Sequence, residues 1–358
     1  MRKTVIFILT LFGFYFLNAQ NIITPKFNLT NELAENSGLL YFNGKLIIHN
    51  DSGGKPNLYE VDPITGVLLR TIEISNAFNI DWEDIAEDET YIYIGDSGNN
   101  KGNRTNLKIY KISKEQYLAS DNVTAEILNY TYNNQTNFRP SSKSNFDAEA
   151  LISYKDNLLI FSKNRGNGKT TIYRLPKTPG IHVAEAIKTI DIDGKITGAT
   201  YNSIINKVVL CGYTSSLSPF LVMLSDFNMI DKSFQRIDIS QFVGAANQVE
   251  GITFVSQNKI NFSRERFRKK IAGFSLNTPA SVFELNLDNL TSFMKMETNK
   301  SNSDEYKIIK ITNELGKVVY GKKDTINTSM IDKLPKGVYY SKIKYDNQIT
   351  INQKIIKE

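Results

Sequence analysis

Polar residues that recur at matching places are the first chemical signal in this chain. Ser37, Glu83, Glu149, Thr197 and Glu250 each stand directly before a small residue or Asp: Gly38, Asp84, Ala150, Gly198 and Gly251. Two positions earlier lie Glu35, Asp81, Asp147, Lys195 and Gln248. A further column, Asp51, Asp96, Lys163, Tyr213 and Arg264, follows an apolar run in each unit, with Arg165 and Arg266 nearby. Three kinds of chemistry suit such a set. The first is a hard-cation site, since calcium takes about six to eight oxygen ligands. Glu83, Glu149, Glu250, Asp51 and Asp96, with Asn50, would supply them, and the cation would polarise a phosphoryl or carbonyl oxygen or activate a water. The second is recognition of a polar ligand without metal. Lys163, Arg165 and Arg264 would grip an anionic group, and Glu35, Asp81, Glu83, Asp147, Glu149 and Glu250 would hold hydroxyls or amines. The third is structural, with the carboxylates accepting backbone N–H bonds and pairing with the basic residues to hold neighbouring units together. Carboxylates gathered near one point repel, so some must protonate, pair or bind a cation. Clusters perturbed in this way are enriched at functional sites. A purely structural device would repeat in every unit, so Ser37 and Thr197 in place of Glu favour a site that faces one ligand.

These residues need elements that bring them together. Gly38, Asp84, Ala150, Gly198 and Gly251 follow one another at steps of 46, 66, 48 and 53 residues, near the period of a four-stranded propeller blade. Each unit opens with the polar triplet and an alternating strand a. A turn follows, such as Phe42-Asn43-Gly44, where Asn and Gly supply the turn conformations. Strand b is apolar, as in Val208-Val209-Leu210-Cys211. Then come a polar loop rich in Gly and Asn, a strand c such as Leu58-Tyr59-Glu60-Val61, and a strand d. The fifth unit ends at Leu287 without a strand d, and the lone segment Ile22 to Leu29 is spare. Sheet edges left open are a liability. The expectation is therefore an all-β chain containing a five-bladed β-propeller closed by its N-terminal strand, or a six-bladed one if 113–145 or 264–281 holds extra strands. In a propeller the strand a entrances and the b–c loops share one face, which gathers the columns into a funnel.

Composition bounds the rest. Phe, Tyr, Val, Ile and Thr are abundant, which favours strands. The net charge is +6 and the pI about 9.0, but Lys and Arg are scattered, so no nucleic-acid partner is expected. The single cysteine, Cys211, lies in an apolar run and reads as a buried thiol. His49 aligns with core-like residues and reads as a buried histidine rather than a base. No Gly-x-Ser-x-Gly elbow occurs, which excludes an α/β-hydrolase. The Asp96 to Asn103 loop has spaced oxygens but lacks the final Glu of a helix-loop-helix calcium site.

At the N-terminus, Arg2 and Lys3 precede an apolar run over 5–17 and then Asn18-Ala19-Gln20. This is the pattern of a signal peptide, residues 1–19, cleaved after Ala19. The run is short for a membrane span, and no later segment is apolar enough for one, so the mature chain should have no transmembrane segment. The propeller then covers 20–290. Residues 291–305 are polar and read as a linker. Residues 306–358 hold five short strand-like segments, among them 325–330, and read as a small β-sandwich.

The last segment closely resembles the type A C-terminal sorting domain of the Bacteroidetes type IX secretion system. The matching residues are Asn313-Glu314-Leu315-Gly316-Lys317-Val318-Val319, Leu334-Pro335-Lys336-Gly337-Val338-Tyr339-Tyr340-Ser341-Lys342-Ile343 and Gln353-Lys354-Ile355-Ile356-Lys357-Glu358. The Asn-Pro pair that opens such domains is absent. The resemblance implies the secretion machinery as a partner, passage through the periplasm, and a final location outside the cell or on the outer-membrane surface. More distantly, the repeats and the Glu250-Gly251-Ile252-Thr253 motif resemble NHL-type, gluconolactonase-like and phytase-like propellers, which include both metal-dependent hydrolases and binding modules. The expected function is a secreted or surface binding module for a polar small molecule, glycan or protein. The alternative is a calcium-dependent hydrolase of a phosphoester, lactone or similar ester. Whether the chain is an enzyme stays open at this stage, and calcium is the one cofactor considered.

Overall fold

The computed structural model describes residues 22–224, 227–228, 233–244, 247–271, 274–300, 306–321, 328–345 and 349–357. The signal-peptide segment lies outside the described residues. The chain is all-β in character. Its pairing pattern consists of five antiparallel four-strand units followed by a C-terminal sheet.

The first four units are contiguous in sequence. Unit 1 is Asn36–Phe42, Lys45–Asn50, Asn57–Val61 and Leu68–Ile74; unit 2 is Trp82–Glu87, Tyr91–Asp96, Lys108–Ser113 and Glu126–Tyr132. Unit 3 is Ala148–Tyr154, Asn157–Ser162, Thr170–Pro176 and Gly180–Ile190; unit 4 is Lys195–Asn202, Lys207–Tyr213, Pro219–Leu224 and Phe234–Asp238. Unit 5 is assembled from both ends of the region. Val249–Phe254, Lys259–Arg264 and Ser281–Asn286 are completed by Ile23–Asn28, which pairs antiparallel with Ser281–Asn286. The first strands of the units touch one another in a closed circle, from 1 through 5 and back to 1.

Packing follows this order. Alternating apolar side chains on each unit meet those of the next, giving one hydrophobic cluster at every junction. Trp82, Ile47 and Tyr110 belong to the junction of units 1 and 2, and Phe161, Leu210 and Phe220 to that of units 3 and 4. Leu39, Leu46 and Val282 close the circle between units 5 and 1. Cys211 is fully buried in the junction of units 4 and 5, as a structural thiol. His49 is fully buried edge-on to Trp82, with ring centroids 5.5 Å apart. Burial lowers its pKa to about 4, so the ring is neutral.

The small-residue column has a steric cause. The first strands converge, and a Cβ at Gly198 would lie 2.1 Å from the carbonyl oxygen of Glu250. Asp84 is the exception in this column and makes use of the same closeness. Its carboxylate accepts N–H bonds from Ile85 (2.9 Å), Leu151 (2.8 Å) and Ala199 (3.1 Å), tying unit 2 to units 3 and 4 across the ring.

The outer edges of units 1 to 4 are covered by further strands. The last strands of units 2 and 3 pair in parallel. Asn122–Val123 adds to unit 1, and the segment 113–145 otherwise holds the short helix Lys114–Ala119 and the last strand of unit 2. The segment 264–281 contains the hairpin Phe267–Ile271 and Phe274–Thr278, inserted between the second and third strands of unit 5. Neither segment forms a sixth four-strand unit among the described residues.

Two expectations for the C-terminal part are corrected. Residues 291–300 do not form a linker but belong to the helix Leu287–Lys300. Asn286 caps it, its side-chain oxygen accepting the Asp288 and Asn289 N–H groups at 3.0 Å each. Leu287, Leu290 and Met294 then fall on one face and bury against unit 5. Residues 301–305 of the expected linker are outside the described residues. The expected strand at 325–330 is also replaced, where described, by the helix Thr328–Asp332. The remaining strands, Tyr306–Asn313, Val318–Tyr320, Gly337–Tyr345 and Ile349–Lys357, make one sheet that adds edge-on to the last strand of unit 4 through Ile349–Lys357. One face of it packs Ile311 and Tyr339 against Leu334 and Ile331. No helix among the described residues is long and apolar enough to cross a membrane.

Candidate functional site

Each strand a is bulged at the same place, and the bulge positions the chemistry. In unit 3, Ala148 and Ala150 pair with Ser162 and Phe161, so Glu149 is the extra residue. In unit 4, Thr197 is skipped between Ile196 and Gly198. In units 1, 2 and 5 two residues oppose one: Ser37-Gly38, Glu83-Asp84 and Glu250-Gly251. A bulge re-aims side chains out of the regular alternation. It turns this column into one polar cavity of about 260 Å³, lined by Asn36, Ser37, Asp51, Glu83, Asn100, Glu149, Lys163, Arg165, Tyr213, Gln248, Glu250 and Glu265.

Part of the cluster is neutralised internally. Lys163 is buried and ion-paired to Glu149. Arg165 donates from Nε to Asp147 at 2.6 Å and from Nη2 to Glu149 at 3.2 Å. Asp147 also accepts the Asn99 N–H at 2.7 Å. Burial works to lower the Lys163 ammonium pKa, but the Glu149 carboxylate holds it well above its usual range. Tyr213 lies beside the pair, with Lys163 Nζ 5.3 Å from its ring centroid, and burial raises its hydroxyl pKa.

The other part is not neutralised. Glu83 is 5% exposed, and its side chain has no hydrogen bond or ion pair among the described residues. Its carboxylate is shared by two triplets of oxygen donors, Asp51-Asp81-Glu83 and Glu83-Asp147-Glu149, with the chosen oxygens of each within 4.8 Å of one another. Burial, then the charges of Glu149 and Asp51, push the Glu83 carboxyl well above the ordinary range. Burial and the Asp51 charge push Asp81 up to about 7. Glu250 is also raised well above the ordinary range, chiefly by burial. Gly98 makes this crowding feasible, since a Cβ there would lie 2.1 Å from Glu83 Oε1 and 2.3 Å from Asp81 Oδ2.

Most of the expected residues meet at or beside this cavity, but Asp96, Arg264 and Glu35 do not line it, the first two for one reason of register. After strand b, the backbone N–H of Asp51, Gly98, Lys163 and Glu265 donates to the carbonyl of Glu35, Asp81, Asp147 and Gln248 respectively. These four, with Tyr213 opposite Lys195, form the true column. Asp96 and Arg264 are thus displaced from it by two residues and by one. Asp96 is fully buried and accepts from Arg104 Nη2 at 2.8 Å and from the Asp81 N–H at 3.2 Å. It does not line the cavity. Arg264 points away, to the Pro279 carbonyl, Asn247 and the Phe283 ring. Glu35 is exposed outside the lining and contributes its carbonyl to Asp51. Sequence reasoning missed Glu265, whose carboxyl is raised to about 7, first by burial and then by Asp51. Its only signal was adjacency to Arg264.

The asymmetry of the Glu column has a structural explanation too. Ser37 Oγ donates to the Glu83 carbonyl at 2.5 Å. Thr197 Oγ1 donates to the Val249 carbonyl. The hydroxyls thus stitch units 1 to 2 and 4 to 5, so Ser and Thr at these places do not by themselves argue for a ligand.

No protein-family model matches the sequence, and no curated protein does. Among solved structures, the chain is similar to the PQQ-bound aldose sugar dehydrogenase from Streptomyces coelicolor (10% identity, 74% of this chain and 98% of that one, TM-score 0.36). It is also similar to an exo-β-1,3-galactanase from Phanerochaete chrysosporium (10%, 75% and 65%, TM-score 0.46) and a GH43_1 enzyme from Xanthomonas citri (10%, 74% and 91%, TM-score 0.40). Likenesses this distant carry no argument about activity. The propeller-like character of the chain rests on its own strand pairing.

Proposed function

We propose that residues 20–290 are a five-bladed propeller, closed by the N-terminal strand, that acts outside the cell as a binding module with a divalent-cation centre in its axial cavity. The observation that carries this reading is Glu83. It is buried and unpaired, and it is common to both oxygen triplets. An anionic carboxylate in that position is costly unless a cation joins it. Asp51, Asp81 and Glu83 would hold calcium, which favours hard oxygen donors. Glu149 and Asp147 are already occupied by Lys163 and Arg165, and would instead fix the basic groups that face a polar ligand. The ligand class stays broad: a polar small molecule, a glycan or a protein side chain.

Calorimetry tests the centre. Calcium should raise the melting temperature of chelator-treated protein, and at a hundredfold excess over Kd the gain is about 2.7 kcal/mol. Glu83→Gln should remove the shift. A melting temperature indifferent to calcium refutes the centre. A shift retained in Glu83→Gln places it elsewhere.

A second reading is a calcium-dependent ester hydrolase. Glu265, which lines the cavity but is not among the proposed calcium ligands, has its carboxyl raised to about 7 by burial, the range suited to general acid–base work. Turnover of a nitrophenyl phosphate or a simple lactone that needs calcium and is lost in Glu265→Gln with calcium binding retained would establish it. Absence of turnover in calcium-loaded protein would remove these substrates.

For location, the signal-like N-terminus and the resemblance of 306–358 to a type IX sorting domain support export through the periplasm to the surface or medium, with the secretion machinery as partner. Deleting residues from Lys336 onward should trap the protein in the periplasm, and normal secretion would refute the sorting role.

A further inference from the structure

A second cleft lies away from the axial cavity, between the C-terminal sheet and the outer strands of unit 3. Its volume is about 590 Å³, within the usual range for small-molecule sites. The strand register creates its chemistry. Lys310 pairs with Lys342, and Lys342 with Asn352, across three adjacent strands. Side chains two apart on a strand share a face, so Tyr340 and Lys354 join the two lysines on the face turned to unit 3. All four line the cleft. The opposite face is occupied by the small core around Ile311 and Tyr339, so the basic groups are not there for packing.

The charges do not balance. Lys310 is paired with Asp191 across the cleft. Lys342 is only 9% exposed, and its ammonium has no hydrogen bond or ion pair among the described residues. Burial lowers its ammonium pKa, and Lys310 and Arg236 lower it further, against the pull of Asp191 and Asp193. Lys354 and, from the unit 3 side, Lys169 and Lys188 add positive charge, against one further carboxylate, Glu314. A buried, unpaired ammonium beside a second one is costly, and a dianion entering the cleft would satisfy both. Tyr340 and Ile187 offer an apolar wall beside the charges.

The geometry points to this cleft as a binding site for a phosphomonoester: a dianionic phosphate held by Lys342, Lys310 and Lys354, carried on a small organic body lying against Tyr340. The site needs both the propeller region and the C-terminal sheet, so it exists only in the uncleaved chain. It is independent of the cation centre.

Titration calorimetry of the full chain in chelator tests it, so that no metal can carry the anion. Inorganic phosphate should bind saturably, and phenyl phosphate more tightly. Lys342→Met should weaken both by at least about tenfold, with the melting temperature unchanged or raised. Lys354→Ala, at an exposed position, should weaken both several-fold, and Glu83→Gln should leave them unaltered. Absence of phosphate binding, or affinities unchanged in both lysine variants, overturns the site. Phenyl phosphate binding no more tightly than phosphate overturns the role of the Tyr340 wall.

Discussion

Asp84 accepts backbone hydrogen bonds from Ile85, Leu151 and Ala199, whereas the neighbouring Glu83 side chain accepts none among the described residues. One bulge separates their roles. Asp84→Ala would leave the Leu151 and Ala199 amides without an acceptor at the ring centre. Unsatisfied buried groups cost about 1–3 kcal/mol each, so urea unfolding should show a loss of about 2–5 kcal/mol. An unchanged midpoint would mean that Asp84 does not staple the ring. The cavity acids make a separate prediction about pH. Asp81 and Glu265 are raised to about 7 in the fold, whereas unfolded carboxyls ionise near about 4. Between those values the folded chain holds protons that the unfolded chain has released. This contribution is therefore complete below about pH 4 and is lost as pH rises through about 7. In calcium-free protein, the melting temperature should fall between about pH 5 and pH 8, and Asp81→Asn should flatten the profile. A profile that rises with pH contradicts the placement of these acids.

The elements decide which of these residues reach the site. The bulge recurs in each strand a, and in units 1, 2, 3 and 5 it moves a residue that alternation would place elsewhere into the axial cavity. The loop after strand b then sets the partner column by one backbone hydrogen bond per unit. That bond selects Glu265 over Arg264 and Gly98 over Asp96. The helix Leu287–Lys300 shows a different rule. Its sequence is largely polar, and Leu287, Leu290 and Met294, with Phe293 partly buried beside them, anchor it. Leu290 is fully buried, so Leu290→Ala should cost about 2–5 kcal/mol. A loss below about 0.5 kcal/mol, the scale of surface substitutions, would show that the segment behaves as the linker its composition suggests.

At the scale of the whole molecule, the ring is held by its closure. Ile23–Asn28 completes unit 5, so a segment from the start of the chain covers the edge of one near the end of the repeats. Deleting 22–29 should leave Ser281–Asn286 as an open edge, a template for association. Size-exclusion chromatography should then show larger species or aggregate relative to the intact chain. A deletion variant that elutes with the intact chain and unfolds at the same midpoint would refute closure as the source of stability. The C-terminal sheet covers the outer strand of unit 4 in the same manner.

The repeat is legible in the chain alone, because alternation and turn residues are local and recur with each unit. The closing strand is found by counting, since a fifth unit lacked its partner. The convergence of Glu83, Glu149, Glu250, Asp51, Lys163 and Arg165 is legible as well, because strand order fixes which ends of the strands share a face. Only the tertiary structure decided which of them are free. Ion pairing of Lys163 and Arg165 with Glu149 and Asp147 lies within unit 3, but it depends on the register between its first two strands and the course of the loop that follows. The hydroxyls of Ser37 and Thr197 find their carbonyls only when neighbouring strands meet. The registers that remove Asp96 and Arg264 are set by bulges, which have no signature in a pattern of polar and apolar residues. Glu83 is left unpaired by that sum of contacts, none of which lies within its own stretch of chain.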